Sequence, residues 1–473
     1  MNVKVRFAPS PTGFLHVGGF RTALFNYLYI KKMGGKIVLR IEDTDQSRKV
    51  LNAVENLLSN FELLNIHFDE GPVQGGEYGP YYQSQRLHIY RKFIEILLKN
   101  GTAYPCFCSS EKLNKIRKKQ ISSKVTIKYD RFCLKLNSKE TLTKMKTEPY
   151  IIRMKIPDGK EIIFHDEVRG RVTIDYNEID DQVLIKSDGF PTYHFANVVD
   201  DHLMGITHVM RGEEWLSSTP KHILLYHFFE WKLPKFIHLP LLLNPDKSKL
   251  SKRQGGVSVE DYLNNGYLPE ALLNFVSLLG WHPKNEHEIF SLSELEKEFS
   301  LKHLHKSGAI FDIEKLNWMN SYYLKNLPIK VVMDYVRPFF EKSGFDITDT
   351  NKFKAVVENA RKRVNKISEI VDHSMPFYAD LNFKEDDILF LKTDTSQKVL
   401  KYISKQLSCK KKWSVEKVNS LVSETSKIIN IKGRSLYSPI RLSLFGSPHG
   451  PDIPQLIEIL GVNESLHRLK RHL

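Results

Sequence analysis

The order of strand, loop, helix and strand at the start of the chain restricts the fold most. Residues 3–7 alternate in polarity and are rich in β-forming side chains, and a loop with two prolines and a glycine follows them. Residues 18–32 have helical apolar spacing, and residues 36–41 form a largely apolar run. This order is typical of a parallel α/β sheet, and residues 50–65 predict the next helix.

The loop between the first strand and the first helix has the chemistry of a nucleotide site. Pro9 and Pro11 fix the backbone angle φ, and Gly13 permits angles that other residues resist. Gly18 and Gly19 open the helix without side chains, which leaves space for a flat ring beside a helix N-terminus that favours phosphate. The segment matches neither the P-loop nor the GxGxxG pattern, which disfavours kinases and dehydrogenases. An ordinary strand-to-helix turn is the alternative interpretation.

A second segment, at residues 246–256, joins four cations to small residues. Mobile lysines in such a loop can fold over a triphosphate and stabilise the pentacoordinate phosphorus as pyrophosphate leaves. An exposed basic loop without a ligand is the alternative interpretation. The cations are Lys247, Lys249, Lys252 and Arg253.

The charge balance indicates a polyanionic partner. The 473 residues include 70 basic and 55 acidic side chains, a formal net charge of +15, and Lys and Arg neutralise phosphates. A basic surface that serves only solvation is the alternative. Residues 321–473 have the pattern of amphipathic helices and hold 26 of the basic and 17 of the acidic residues.

No run of 18 apolar residues occurs and the four cysteines do not suggest a disulfide framework, so we expect a cytoplasmic protein without a membrane span.

The two segments together resemble the paired signature motifs of class I aminoacyl-tRNA synthetases. Residues 16–19 (His-Val-Gly-Gly) resemble the HIGH motif, and residues 249–253 (Lys-Leu-Ser-Lys-Arg) resemble the KMSKS motif. Residues 6–13 (Arg-Phe-Ala-Pro-Ser-Pro-Thr-Gly) resemble the glutamyl enzymes of that class. The chain is thereby identified as a member of the bacterial-type glutamyl-tRNA synthetases. Further segments that resemble this family are residues 40–45, 193–202, 211–215, 439–441, 450–451, 460–461 and 468–469.

The resemblance implies an α/β fold with several parts. A Rossmann-like catalytic domain with a parallel sheet is split by an inserted α+β module that binds the acceptor stem. A stem-contact region carries the KMSKS-like loop, and an all-α domain binds the anticodon. The expected bounds are 1–103 and 187–240 for the catalytic domain, 104–186 for the insertion, 241–322 for the stem-contact region and 323–473 for the helical domain.

The resemblance also implies the reaction. L-glutamate is activated with Mg²⁺ and ATP to glutamyl-adenylate, and the glutamyl group then passes to the terminal adenosine of tRNA-Glu. Glutamate carries two carboxylates and one ammonium group, so its pocket needs two cationic groups and one anionic group. By resemblance, Arg6 is expected to bind the side-chain carboxylate and Arg211 the remaining anionic group, while Glu42 takes the ammonium group. The remaining glutamate-binding residues are expected to be Ser10, Tyr193 and Asn197.

Spacing and resemblance together give the rest of the expected site. Tyr193 and Asn197 lie four residues apart, so a helix would present both on the same face. The catalytic residues implied by the resemblance stabilise charge on the phosphates, and they are His16, Lys249 and Lys252. The ATP-binding residues implied by it are Thr12, His16, Gly18, Gly19, Glu214, Trp215, Lys249 and Lys252.

Three cysteines resemble a zinc-binding module found in some glutamyl enzymes. Tyr129, four residues before Cys133, lies where relatives have a ligand, whereas Lys135 replaces the usual His. The resemblance therefore implies one structural Zn²⁺ bound by Cys106, Cys108, Tyr129 and Cys133. Three thiolates and a phenolate are an uncommon ligand set for zinc, and three reduced cysteines without a metal are the alternative.

Other functions within the same fold stay open from the sequence. The enzyme could charge tRNA-Gln with glutamate in addition to tRNA-Glu. A truncated relative that glutamylates a tRNA base would lack an anticodon region, whereas this chain has 153 residues of basic helical pattern from 321 onward. A non-catalytic tRNA-binding paralogue is disfavoured because the catalytic and glutamate-binding motifs are present. We expect a monomer with no membrane partner.

Overall fold

The computed structural model describes residues 3–250, 258–409 and 412–473. The chain divides into two compact units. The first has parallel strand pairs with helices and the second is helical, which confirms the predicted fold class, whereas the bounds of the finer four-part division stay a prediction. The first unit comprises Met1–Tyr262 and Leu272–Ile313, and the second comprises Leu263–Ala271 and Glu314–Leu473.

The first unit begins with the predicted strand, helix and strand. Strand β1 (Lys4–Phe7) is buried along its whole length and pairs in parallel with β2 (Lys36–Leu39). Helix α1 (Val17–Met33) connects the two strands. His16 caps its first turn, and Gly34, with a φ of 68°, ends it in the left-handed conformation that glycine adopts without strain.

Three further sheets extend the first unit, and the smallest of them is the parallel pair of β10 and β11. Three strands form an antiparallel sheet in the order β3-β4-β7, and four form a sheet in the order β6-β5-β9-β8, in which β8 and β9 run parallel. Just before β8, the backbone N–H of Thr207 donates to the carbonyl of Lys4 in β1 (2.9 Å). Ligands of parallel α/β sheets bind outside the carboxyl ends of the strands. The strands are β3 (Ala103–Cys106), β4 (Ile151–Met154), β5 (Glu161–Asp166), β6 (Gly170–Asp175), β7 (Val183–Ile185), β8 (His208–Gly212), β9 (Lys235–Leu239), β10 (Leu242–Leu243) and β11 (Ala309–Ile310).

The helices before residue 300 agree with the apolar spacing in most places. Helix α2 is shorter at both ends than the predicted 50–65, and the basic stretch after the first two cysteines is helix α4. Helix α5 has no helical apolar pattern in the sequence, because its side chains are mostly polar. These helices are α2 (Ala53–Leu63), α3 (Leu87–Lys99), α4 (Ser110–Ser122), α5 (Ser138–Thr147), α6 (Tyr193–Leu203), α7 (Thr219–Phe228), α8 (Val259–Asn264), α9 (Pro269–Ser277) and α10 (Leu292–Glu298).

The chain beyond residue 313 is helical, as its amphipathic pattern predicts. Apolar side chains such as Val399 and Ile440 are fully buried between the helices, and Gly461, with a φ of 75°, interrupts the last one. Among the described residues, the helices lack the combination of length and apolar character that crossing a bilayer requires. The helices are α11 (Ile313–Asn326), α12 (Ile329–Lys342), α13 (Thr350–Ala360), α14 (Ile367–Ser374), α15 (Glu385–Leu391), α16 (Asp394–Leu407), α17 (Val415–Ile429), α18 (Arg434–Phe445) and α19 (Ile453–Lys470).

A network of buried charges ties α6 to the first two strands. Asp201 of α6 accepts hydrogen bonds from Arg6 Nε of β1 (3.1 Å) and from Arg40 Nη1, just after β2 (2.7 Å). Arginines and carboxylates are equal in number, so the network balances its own charge. Its members are Arg6, Arg40, Arg86, Glu42, Asp200 and Asp201.

Asp200 is the second carboxylate that α6 contributes to this network. It is completely buried and accepts from Arg86 Nε (2.8 Å), from the Tyr90 hydroxyl (2.7 Å) and from Gln83 Nε2 (2.9 Å). Breaking a buried ion pair from one side leaves the other charge without compensation, which costs much more than the intact pair contributes. Asp200 therefore holds α6 against the start of α3.

The substitution Asp200→Asn tests this network. It preserves the size of the side chain but leaves Arg86 buried without its carboxylate, so we expect the free energy of unfolding to fall by about 3–5 kcal/mol. Urea denaturation followed by circular dichroism measures the change. Asp175→Asn is the matched control, because Asp175 is exposed and its substitution should change stability by less than about 0.5 kcal/mol. Equal stabilities of the two variants would contradict the account.

Candidate active site

Most of the predicted site residues line one cavity of about 570 Å³ in the first unit. Its wall is formed by the loop after β1, the start of α1, the start of α6 and the end of β8. The cavity therefore brings the expected glutamate-binding and nucleotide-binding residues together from distant parts of the sequence. The predicted residues that line it are Arg6, Ser10, Thr12, Gly18, Gly19, Glu42, Tyr193, Asn197, Arg211, Glu214 and Trp215.

His16 lines an adjoining cavity of about 310 Å³, together with Thr12 and Gly19. Its Nδ1 accepts a hydrogen bond from the backbone N–H of Gly18 (3.0 Å). A neutral imidazole that accepts at Nδ1 carries its proton on Nε2. The cap of α1 thus fixes the tautomer in which His16 Nε2 is a donor, which suits the expected role of His16 in stabilising charge on the phosphates.

Gly18 and Gly19 form a flat wall where α1 begins. A Cβ atom on Gly19 would lie 3.5 Å from Leu15 Cδ1, which is ordinary van der Waals contact. The packing of the protein therefore does not require glycine at this position, and the missing side chain instead enlarges the cavity. A Cβ atom on Gly18 would lie 3.3 Å from His16 Nδ1 and would press on the cap of the helix.

Described residues within and just after the basic segment at residues 246–256 are anchored by backbone contacts. Lys249 is exposed and forms an antiparallel bridge with Leu243, while after the segment the N–H of Val259 donates to the carbonyl of Leu15 (2.8 Å). The second anchor lies next to His16. Lys249 is absent from the lining of the 570 Å³ cavity, and Lys252 lies outside the described residues.

The buried charge network reaches the cavity through Glu42 and Asn197. With its amide turned so that both ends are satisfied, Asn197 donates to Asp201 Oδ2 (3.2 Å) and accepts from Arg6 Nη2 (3.3 Å). Burial raises the pKa of Glu42 above its ordinary value, although Arg40 and Arg6 oppose the shift. A further cation would stabilise the ionised form of such a buried carboxylate. Glu42 is therefore suited to receive an ammonium group from the cavity.

Arg211 differs from the other buried arginines of the site. It is only 4% exposed, yet among the described residues no carboxylate lies within 4.0 Å of its guanidinium. A buried cation without a counter-ion is costly, so this side of the cavity attracts an anion. Its partners are all neutral, and they are Tyr193 Oη (3.2 Å), Thr219 Oγ1 (2.9 Å), His222 Nδ1 (3.1 Å), His238 Nε2 (3.1 Å) and the carbonyl of Trp215 (3.5 Å).

Three histidines around Arg211 are uncharged at neutral pH. Burial lowers the pKa of His222 far below its ordinary value, and the neighbouring Arg211 adds to the decrease. Burial also lowers the pKa of His238, despite its hydrogen bond with Asp166, and lowers the pKa of His194 to about 4. Neutral rings can accept hydrogen bonds from Arg211 without adding a second positive charge.

The mouth of the cavity contains residues that the sequence interpretation did not assign. Lys186, just after β7, donates from Nζ to the carbonyl of Thr44 (3.2 Å) and so joins two loops across the rim. Thr44 and Asp45 belong to a segment that resembles the family, so the sequence could have indicated them as site residues. Lys186 follows no motif, and only the tertiary structure brings it here. The unassigned lining residues with polar side chains are Thr22, Thr44, Asp45, Arg48, Lys186 and Thr192.

Three of the four cysteines, at positions 106, 108 and 133, lie together. The sulfur atoms of Cys106, Cys108 and Cys133 are within 4.8 Å of one another. The Tyr129 hydroxyl lies 3.3 Å from the sulfurs of Cys106 and of Cys108, and it accepts from the N–H of Cys133 (3.0 Å). Lys135 is exposed. The donor set has the compactness of a four-ligand site, with Tyr129 as the fourth member where the usual His is missing.

Comparisons with known families agree with the fold. Residues 2–318 match the family described as tRNA synthetases class I (E and Q), catalytic domain, and residues 331–473 match an anticodon binding domain. The fold is therefore that of a class I tRNA synthetase.

Full-length relatives identify the family within that class. The sequence is 46% identical to a glutamate–tRNA ligase of Clostridioides difficile, over 99% of this chain and 98% of the relative. It is 44% identical to a glutamate–tRNA ligase of Alkaliphilus metalliredigens, over 100% and 99%. A crystal structure of a glutamate tRNA ligase from Elizabethkingia meningosepticum in complex with its amino acid has a TM-score of 0.92 at 35% identity, covering 100% of this chain and 99% of that one. The chain belongs to the glutamate–tRNA ligase family, which confirms the family and the enzyme class predicted from the sequence motifs.

The neutral histidines predict how stability depends on pH. In the unfolded chain a histidine titrates near pH 6.5, whereas the pKa of His194 is lowered to about 4 in the folded protein. The unfolded state therefore takes up the proton first, and the free energy of unfolding should fall as the pH is lowered from about 6.5 to 4, by at most about 1.4 kcal/mol per pH unit for each such histidine.

Urea denaturation at several pH values measures this slope. The variant His194→Gln should show a shallower slope between pH 6.5 and 4 than the wild type. His67→Gln is the control, because His67 is exposed, and it should keep the wild-type slope. If His194→Gln also keeps that slope, His194 is not held neutral by the fold.

Proposed function

We propose that the chain activates L-glutamate with ATP and transfers the glutamyl group to the terminal adenosine of tRNA-Glu. The observation that carries this proposal is the buried, uncompensated charge of Arg211 in a cavity that also holds Arg6 and Glu42. A dicarboxylic amino acid matches that distribution of charge. The full-length similarity to glutamate–tRNA ligases supports the same conclusion.

The pocket can hold each charged group of glutamate. Arg211 offers its charge to one carboxylate, and Arg6, whose Nε is occupied by Asp201, faces the cavity and can bind the other. Glu42 receives the ammonium group. The neutral polar side chains Ser10, Tyr193 and Asn197 complete the pocket. Glutamine has only one carboxylate and would leave an arginine unpaired, which penalises it by roughly 2–4 kcal/mol.

The nucleotide would lie against the start of α1. Gly18 and Gly19 leave room for the adenine or the ribose, and Thr12, Glu214 and Trp215 line the same cavity. A carboxylate oxygen of glutamate is the nucleophile that attacks the α-phosphorus of ATP. Pyrophosphate leaves together with Mg²⁺. A donor on His16 Nε2 and the charges of Lys249 and Lys252 stabilise the negative charge of the phosphates.

The second unit would bind the anticodon. A cavity of about 590 Å³ on α18 is lined by two arginines, a tyrosine and a histidine. Tyr437 is 44% exposed, and an exposed aromatic ring beside cations is suited to stack on an unpaired RNA base. Residues that line this cavity are Gly433, Arg434, Tyr437, Ser438, Arg441, Pro448 and His449.

The four-part division of the chain, a monomeric state and a cytoplasmic location belong to the same proposal. The match of residues 331–473 to an anticodon binding domain argues against a truncated enzyme that modifies a tRNA base. The presence of Arg6, His16, Glu42 and Arg211 around the cavities argues against a non-catalytic paralogue.

Aminoacylation with radioactive glutamate tests the proposed function. The purified chain should charge tRNA-Glu in the presence of ATP and Mg²⁺, and a chain that charges no tRNA with glutamate would refute the proposal. Parallel reactions with purified tRNA-Gln determine whether that tRNA is also charged, which would mark a non-discriminating enzyme.

Arg211→Gln tests the residue that carries the proposal. Loss of the buried cation should lower kcat/KM for glutamate at least about 100-fold, because truncating one side of a buried charge pair is expensive. Arg91→Gln is the matched control, since Arg91 is exposed on α3, and it should keep the wild-type value. Equal kcat/KM values for the two variants would exclude Arg211 from glutamate binding.

We also propose one structural zinc ion per chain on the three cysteines and Tyr129. The supporting observation is the convergence of the Tyr129 hydroxyl on the sulfurs of Cys106 and Cys108. Bound zinc would hold the loop at Cys133 against β3, and no step of the reaction passes through it.

Metal analysis by mass spectrometry tests the zinc proposal. The wild-type chain should contain about one zinc per chain, and Cys133→Ser well under one, because structural zinc requires a full ligand set. Tyr129→Phe should also lose zinc if the phenolate is the fourth ligand. Cys409→Ser is the control, since Cys409 is exposed and outside the cluster. Wild-type protein without zinc would refute the proposal.

A further inference from the structure

Arg211 donates to two imidazole rings. A guanidinium has donors and no acceptor, so each ring nitrogen that faces it must be an unprotonated acceptor. His238 Nε2 lies 3.1 Å from Arg211 Nε, and His222 Nδ1 lies 3.1 Å from Arg211 Nη1. Each ring is thereby fixed in one neutral tautomer, with its proton on the nitrogen that points away from Arg211.

The far nitrogen of each ring has a partner that suits this tautomer. His238 Nδ1 donates to Asp166 Oδ2 (2.7 Å), and both side chains are completely buried. His222 Nε2 donates to Nδ1 of His194 (3.0 Å). The chain of hydrogen bonds from Arg211 through His238 ends on a charged group, the carboxylate of Asp166. The chain through His222 ends on another neutral ring, that of His194.

Asp166 is itself held by the backbone at the end of β5. Its Oδ1 accepts from the N–H groups of Val168 (3.0 Å) and Arg169 (2.9 Å). Its other oxygen, Oδ2, is left to accept from His238. The parallel pairing of Asp166 with Phe236 brings β9 alongside. Burial alone would raise the pKa of Asp166, but the hydrogen bond from His238 and those from the backbone lower it overall, so the carboxylate is ionised.

We propose that Asp166 is a positioning residue for glutamate binding that acts on Arg211 through His238. The inference rests on the proposed function, in which Arg211 binds a carboxylate of glutamate. Asp166 keeps the proton of His238 on Nδ1, and Nε2 is left as an acceptor that orients Arg211. The negative charge stays one imidazole ring away, so Arg211 is oriented without being neutralised.

The substitution Asp166→Asn separates this role from packing. The amides of Val168 and Arg169 require an acceptor, so the carbonyl oxygen of the new side chain faces them. Its NH₂ group then faces His238 Nδ1 and donates to it. The His238 proton must move to Nε2, where it opposes the Nε–H of Arg211, and Arg211 loses its acceptor on that side.

Asp166→Asn should raise the KM for glutamate roughly 5- to 100-fold, because a buried donor loses its acceptor. The KM values for ATP and for tRNA should stay within about threefold of wild type, because Arg211 is proposed to bind glutamate and neither of these two ligands. Asp175→Asn, an exposed position on the adjacent β6, is the matched control and should change none of the three. Equal increases in all three KM values for Asp166→Asn would indicate a purely structural role and overturn the proposal.

Two variants of His238 test the same path if Asp166→Asn fails to fold. In His238→Gln the side-chain carbonyl can accept from Arg211 while its amide donates to Asp166, so the KM for glutamate should stay within about threefold of wild type. In His238→Leu neither bond is available, and the KM for glutamate should rise as for Asp166→Asn. Equal KM values for the Gln and Leu variants would overturn the proposal.

The tautomer can be observed directly by ¹⁵N NMR of histidine-labelled protein. His238 should carry its proton on Nδ1 in the wild type and on Nε2 in Asp166→Asn. An unchanged tautomer with an unchanged KM for glutamate would overturn this inference while leaving the proposed function intact. A wild-type chain that does not charge tRNA with glutamate would instead remove the proposed function, and this inference with it.

Discussion

Two arginines share one buried carboxylate, and the geometry of the site depends on this interaction. Asp201 of α6 accepts from Arg6 of β1 and from Arg40, which follows β2. All three side chains are almost excluded from water, so removal of one partner would leave an uncompensated charge at a cost of about 3–5 kcal/mol. The two strands and the helix are therefore held together, and Glu42 and Asn197 reach the cavity from defined positions.

The surroundings of Arg211 differ from those of Arg6 and Arg40, because within the described part of the chain they contain no opposite charge. The network around Asp201 is balanced in charge, whereas Arg211 is surrounded by acceptors that carry none. Neutral acceptors such as His222 and His238 fix the direction of the guanidinium and leave its charge for a ligand. The binding energy of a carboxylate then comes from a charge that is buried and already oriented, the condition under which charge-assisted hydrogen bonds are strongest. Under the proposed function, selection of a dicarboxylic substrate follows from this asymmetry.

Local patterns were sufficient to predict the first strand and helix, whereas the residues within motifs that share the cavity were implied by the resemblance to the family. Tyr193 and Asn197 were assigned to one helix face from their spacing of four, and both line the cavity on α6. Asp166 and His238 were not found, because 72 residues separate them and neither lies in a recognisable motif. They meet at Arg211 only through the pairing of β5 with β9, which depends on long-range packing. Spacing in the sequence contains no information about such a contact.

The central claim is that Arg211 is held without a counter-ion so that it can bind a carboxylate of glutamate. A crystal structure of this chain with glutamate bound measures this most directly. A glutamate carboxylate oxygen is expected about 2.7–2.9 Å from a guanidinium nitrogen of Arg211, where it replaces one of the longer neutral contacts, that with Tyr193 Oη (3.2 Å) or with the carbonyl of Trp215 (3.5 Å). His238 Nε2 should stay within hydrogen-bonding distance of Arg211 Nε. Glutamate bound in the cavity with both carboxylates away from Arg211 would contradict it.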